Sequence, residues 1–212
     1  MTVLLDTRTG PIVQVDGAGD QPLRQGRLGA LIVSDGHGRY FEQASRRAMF
    51  NARAIVTAPV IFSTAAGTGG PFLWNGTSTV NAVLLGIGIA NTTAATTTNF
   101  ALGLTGNTGQ TSAPTGTTAI DSSGNCYIGG AVPQCNVYRV ATPTNAGGFF
   151  LPFGHCHLPA ALSVDTAMMD WIDLAGMIVV PPGAWVSIAA SATATAAVLN
   201  MTLLWEEVPI GT

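Results

Sequence analysis

Residues 177–208 read MIVVPPGAWVSIAASATATAAVLNMTLLWEEV. A short apolar run, 177–180, stops at Pro181-Pro182-Gly183; the run resumes over 184–190; residues 191–196 (SATATA) form a turn region; residues 197–208 close as a long strand. Apolar runs of strand length, punctuated by Pro, Gly and small residues, spell consecutive β-strands. Along the last run successive side chains fall on opposite faces. Val198, Asn200, Thr202, Leu204 and Glu206 share one face; Leu199, Met201, Leu203, Trp205 and Glu207 share the other. The second set is the more apolar and is expected to face a core. A one-residue slip would bury Glu206 without a partner, so the register is strongly specified.

Upstream, residues 54–120 run 67 positions without one Asp, Glu, Lys or Arg. The whole chain is 9% charged and 47% hydrophobic, against about 25% charged in an ordinary domain. Gly, Thr, Ser and Asn break the run every few residues, and no stretch of about 18 apolar residues occurs, so a transmembrane helix is not expected. The first six residues lack the basic and apolar regions of a signal peptide, so Sec export is not expected. Low-charge surfaces of this kind are those covered by neighbouring subunits, or hard Thr-rich β surfaces. The 26 Gly and 12 Pro of the 212 residues also suit many short strands better than long helices.

The basic residues are all Arg, and seven of the eight lie early: Arg8, Arg24, Arg27, Arg39, Arg46, Arg47 and Arg53. With five acids the first 53 residues sum to +2, whereas the remainder sums to −5. This asymmetry places a boundary near residue 53, between an N-terminal arm with a small irregular subdomain (1–53) and a β domain (54–212). Arg forks suit fixed pairing with carboxylates, although Arg-for-Lys bias of a GC-rich genome gives the same composition. A net +2 is weak for nucleic-acid binding.

Within 1–53, residues 1–25 read as extended, 28–33 as a short strand, and 40–51 as irregular because periodicity does not decide. Beyond, residues 54–62 form a strand candidate with Pro59 inside, 67–71 a loop, and Phe72-Leu73-Trp74 a strand before the Asn75-Gly76 turn signal. Residues 80–90 make the best buried strand, with Gly86 and Gly88 on one face where another backbone could approach. Residues 99–105 form a strand and 106–120 a polar loop; 127–128 and 137–141 flank a further loop, and 149–153 cluster aromatics.

Few constellations suggest chemistry. On a strand, His155 and His157 of His155-Cys156-His157 would share a face, yet zinc needs about four ligands and no second cluster lies nearby. Ser163, Asp165 and His157 lack a Gly-x-Ser-x-Gly elbow. Asp165, Asp170, Asp173, Glu206 and Glu207 read as solvated loop and strand-end charges rather than glycosidase carboxylates. A phosphate loop is impossible without Lys. The sequons at Asn75, Asn91 and Asn200 are expected by chance in a Thr-rich chain. Cys126 and Cys135 could meet across a hairpin, but free thiols are the default without a secretory signal. No enzyme activity, cofactor or metal is expected.

The terminal pattern of apolar strand, Pro-Gly, strand, small-residue turn and long strand ending Trp205-Glu206-Glu207 resembles trimeric jelly-roll proteins of the tumour-necrosis-factor-like kind. Residues 26–50 followed by Phe72-Leu73-Trp74-Asn75 are similar to a layout in tailed-phage virion proteins, notably capsid decoration (cement) and head-fibre proteins. No short motif defines such proteins, so no functional residue carries over by position. The resemblance implies an all-β, jelly-roll-like β-sandwich with an extended N-terminal arm, assembled as a homotrimer. It implies a place on the outer capsid surface of a virion, with the major capsid protein as partner and no nucleic-acid or membrane partner. The seven early Arg would then grip the capsid. The alternative is a receptor- or glycan-binding module of a head or tail fibre, with loops 106–120 and 121–136 as its surface and Tyr127 and Tyr138 as stacking groups for a host glycan.

Overall fold

The computed structural model describes residues 40–56, 68–93, 98–158, 169–191 and 198–210. The chain divides into two compact units, 1–42 and 43–212, and the described strands lie in the second. Among the described residues a five-residue helix, α1 (Phe41–Ser45), precedes eleven strands. They are β1 (Met49–Val56), β2 (Thr68–Trp74), β3 (Val80–Thr93), β4 (Thr98–Asn107), β5 (Thr115–Ala119) and β6 (Ser122–Asn125). There follow β7 (Asn136–Thr142), β8 (Phe149–Leu158), β9 (Met169–Val180), β10 (Trp185–Ala190) and β11 (Val198–Pro209).

The strands form two antiparallel sheets, ordered β6-β1-β11-β3-β9 and β5-β7-β2-β10-β4-β8, stacked as an all-β sandwich. β1 faces β2 and β7, which fixes one lateral edge of the stack. The closing strand β11 is central in the five-stranded sheet, between β1 and β3. Its expected alternation holds. Leu199, Met201, Leu203 and Trp205 are fully buried, and the Trp205 ring stacks on Phe50 at 5.9 Å between centroids. From the facing sheet, Leu73, Leu102, Leu104, Val186 and Ile188 complete this core. A second cluster, Phe72 and Trp185 stacked at 5.0 Å, forms on the opposite face of the six-stranded sheet, because Phe72 and Leu73 are neighbours in a strand and point opposite ways.

Asn75 is buried and ties two crossovers between the sheets. Its Nδ2 donates to the carbonyls of Val80 (2.8 Å) and Val180 (2.9 Å), while Oδ1 accepts from the Thr77 amide and hydroxyl. Its backbone amide donates to Ala184 O, and its carbonyl accepts from Gly183 N. The Asn75-Gly76 signal therefore marks a passage from one sheet to the other, β2 to β3, and not a two-residue hairpin.

Other local expectations change. Residues 67–71 are largely strand: β2 begins at Thr68 and carries a bulge before Phe72. The loop expected over 106–120 contains β5, pairing with β7. Residues 40–51 hold α1 and the start of β1, and β1 runs through position 53. The approach expected at Gly86 is made by a side chain. The Trp171 indole lies across Gly86 and Gly88, and a Cβ on Gly86 would collide with it. Opposite Leu85, the edge strand β9 loops out over residues 174–177, with Ala175 (φ 50°) and Gly176 (φ 81°) in the left-handed region and the Asp173 carboxylate accepting from Ala175 N. Most of strand candidate 54–62, and all of the arm 1–25 and strand candidate 28–33, lie outside the described residues.

Trp205→Ala should destabilise the domain by about 3–5 kcal/mol, whereas Thr202→Ala on the opposite face should cost below about 1 kcal/mol. Urea unfolding monitored by circular dichroism measures both; equal costs would contradict the assigned faces. Asn75→Ala, which strands two buried carbonyls, should cost about 1–3 kcal/mol for each, read in the same titration.

Candidate functional site

The loop between β6 and β7, residues 126–135, is built to a firm base and a bare tip. At the base, Asn125 Nδ2 donates to the carbonyls of Arg47 (2.6 Å) and Ala131 (3.3 Å), and Asn125 Oδ1 accepts from Tyr127 N. Arg47 adopts φ 60° there, and its guanidinium stands 4.7 Å from the Tyr127 ring centre. The turn closes through Gly130 N to Tyr127 O at 2.8 Å.

At the other end the Glu207 carboxylate holds the loop. It is only 5% exposed, and its two oxygens accept from Gln134 N and Cys135 N, each at 2.9 Å. The Trp205 indole N–H lies 3.4 Å from Oε1. A buried carboxylate is tolerated because backbone donors replace the lost water. This corrects the reading of Glu207 as a solvated strand-end charge: it occupies the inward face of β11, as alternation requires, and functions as a clamp. Burial, with the Glu207 carboxylate beside it, pushes the Cys135 thiol well above its ordinary range. Cys126 and Cys135 are both free thiols.

Between these anchors the tip is apolar and open. Ile128 is 96% exposed and Val132 83%, and residues 126–135 carry no charge.

At the opposite lateral edge, β9 faces β4, β8 and β10 across an open cavity of about 280 Å³. Asn107, Phe149, Ile178, Val179, Ala184 and Trp185 are among its walls, and none of its lining residues is charged. Val179 and Phe149 stand half-exposed at this edge, with Trp171 (51% exposed) and Met177 further along β9.

Of the early arginines, Arg46, Arg47 and Arg53 are described, and all three are exposed. Arg53 Nε donates to Asn200 Oδ1 at 2.8 Å across β11, and Arg47 covers Tyr127, so both guanidiniums have partners within the domain. Arg46 stands near Glu206, whose pKa burial raises while the guanidinium pulls it back down. Arg8, Arg24, Arg27 and Arg39 lie outside the described residues. Arg139 bridges Asp121 at 3.2 Å, and the other Asp121 oxygen accepts from Ile55 N, extending the β1 edge beyond β6.

His155 and His157 fall on β8 opposite Ala101 and Asn99, but their side chains lie outside the described residues, as do Ser163 and Asp165. Among the described residues no group of three or more His, Cys, Asp or Glu could hold a metal. Asp170 and Asp173 are exposed. Tyr138 packs against the Phe72–Trp185 cluster, which leaves Tyr127 as the more open of the two rings proposed for stacking. The sequence reading singled out loop 121–136 with Tyr127 but not its apolar tip, and it missed the Glu207 clamp and the cavity. Glu207 was nevertheless marked by its parity with Trp205, and the tip by Ile128 and Val132 in an uncharged loop. No protein-family model, curated protein or solved structure matches the chain.

Glu207→Gln replaces a two-oxygen acceptor by one oxygen and one donor, so one loop amide loses its partner. It should cost about 1–3 kcal/mol and speed hydrogen exchange at Gln134 and Cys135. Because burial and the neighbouring Glu207 both raise the Cys135 pKa, native Cys135 should resist thiol reagents at pH 8 while half-buried Cys126 reacts ahead of it. Mass mapping of the labelled thiols checks this, and preferential labelling of Cys135 would contradict it.

Proposed function

We propose that this chain is a virion structural protein: a decoration (cement) protein that binds over capsomer junctions on the outer surface of a tailed-phage head. In this reading its sandwich is jelly-roll-like and it acts as a homotrimer. The observation that carries the reading is the exposed surface. Ile128, Val132, Met177, Val179 and Trp171 are large apolar side chains held in the open on a clamped loop or along β9 and its loop-out. They fall into two groups, one on the 126–135 loop and one along β9, and grouped apolar exposure marks surfaces that meet other proteins. The chain's 9% charge fits a subunit whose surface is largely covered in an assembly.

The mechanism is multivalent. Three copies joined in one particle present three attachment segments, so each further contact forms at high effective concentration. Arg8, Arg24, Arg27 and Arg39 supply the attachment, pairing with carboxylates of the major capsid protein; Arg46, Arg47 and Arg53 contribute less where they already have partners. The shell gains stability because the bound trimer links neighbouring capsomers. No catalytic step, cofactor or metal enters this mechanism.

Purified protein should sediment with phage heads that lack it and raise their heat-disruption temperature. Arg24→Gln with Arg27→Gln should weaken that binding in a graded way, since exposed ion pairs contribute only about 0–1 kcal/mol each and desolvated interfacial ones more. Failure to bind any head, with binding to host cells or glycans instead, would replace this reading by the fibre module.

A further inference from the structure

The apolar tip and the uncharged cavity sit at the same level of the sandwich on opposite edges. In the five-stranded sheet a single cross-strand row runs Asn125, Phe50, Trp205, Leu84, Ile178. Its first residue begins the tip loop, and its last lines the cavity. In the six-stranded sheet the corresponding row runs Asn136, Trp74, Trp185, Asn107. Its first residue ends the tip loop, and the last two line the cavity. Both roots of the loop are thus in register with the cavity walls, with the full width of the five-stranded sheet between them on one side and β2 and β10 on the other.

We propose that Ile128 at the tip of one copy inserts into the β4–β8–β9–β10 cavity of the next copy, joining copies head to tail around an axis parallel to the strands. This deepens the assembly reading above and rests on its self-association, not on capsid binding.

Size, charge and reach each favour this occupant. The cavity, about 280 Å³, falls just below the roughly 300–1,000 Å³ of small-molecule sites, and it has room for an aliphatic side chain. Neither residues 126–135 nor the cavity lining carries a charge, so the inserted tip meets no ion in the cavity, and a highly charged partner would find nothing there to pair with. Gly129 and Gly130 follow Ile128 and add no side chain to block entry. A copy cannot fill its own cavity: five strands at about 4.8 Å spacing separate β6 from β9 by roughly 19 Å, and the loop is fastened at both roots. A different patch on each partner makes the contact heterologous, and such contacts close into rings when the rotation closes. With knob and hole at one level along the strands, the relation between neighbours is rotation with little rise, which favours a ring over a filament.

The test joins cross-linking to mass measurement, on the full chain carrying Cys126→Ser and Cys156→Ser, so that the buried Cys135 is the one native thiol left. Mild oxidation of Ile128→Cys/Val179→Cys should give a covalent ladder ending at the trimer. A mixture of the two single variants should give covalent dimers, and neither single variant should do so alone. In otherwise native protein, Ile128→Asp should raise the concentration for half-dissociation by about 30-fold or more, the scale of losing one interface hot spot, with an unchanged circular-dichroism spectrum and melting temperature. Cross-linking of Ile128→Cys with itself would show a two-fold contact and overturn the proposal. So would a trimer that survives Ile128→Asp intact, although self-association itself would then stand. If the wild-type chain stays monomeric at all concentrations by light scattering, both the proposal and the trimeric assembly fall.

Discussion

The inward face of β11 is what the rest of the domain is arranged around. Leu199, Met201, Leu203 and Trp205 are fully removed from water in the middle of a sheet, with β1 and β3 paired on either side. Burial of such side chains contributes on the order of 1.5–3 kcal/mol each, so this strand supplies a large share of the sandwich's cohesion. The alternation does not stop at the tryptophan. Two residues on, the same parity carries Glu207 inward, where an ion needs partners, and the Gln134 and Cys135 amides provide them. One geometric rule thereby seats the core and fastens a surface loop to it.

That coupling gives the surface its character. A loop tip as apolar as Ile128-Gly129-Gly130-Ala131-Val132 would ordinarily fold back and hide its side chains. Here Asn125, Arg47 and Glu207 consume the backbone and ring contacts at the roots, and the tip stays in solvent. On the far edge, Gly86 and Gly88 let the Trp171 indole lie flat on β3, and the loop-out at 174–177 interrupts the regular ladder of β9. An interrupted edge is a poor template for indiscriminate strand addition. The apolar side chains along it then offer contact through side-chain fit instead of open backbone pairing.

The β class and the face assignment of residues 198–207 were legible because strand alternation is a local, strict rule that one dominant run displays without noise. The best buried strand, 80–90, was legible for a related reason: Val, Leu and Ile recur within it, and β3 needs only extension to Thr93. What misled the reading was polarity used as a proxy for loop. Residues 115–119 are Thr-rich and mostly exposed, yet they pair with β7 because an edge strand needs backbone partners, not an apolar face. Asn75-Gly76 read as a turn signal, but its role in tying the sheets depends on Val180 O, which comes from a segment 105 residues away. The Glu207 clamp was half legible: parity pointed inward, while its charge argued for solvent, and only the loop amides resolve the conflict. The cavity could not be read at all, since its walls come from four strands whose adjacency is a property of topology.

Native-state hydrogen exchange, followed residue by residue, addresses the central role of β11 most directly. Amides across 199–207 should be the slowest in the domain, and Gln134 and Cys135 should be protected well beyond the Ile128 tip although they lie outside any strand. Exchange of the β11 amides as fast as those of the edge strands β5 and β6, or of Gln134 and Cys135 as fast as Ile128, would contradict the account.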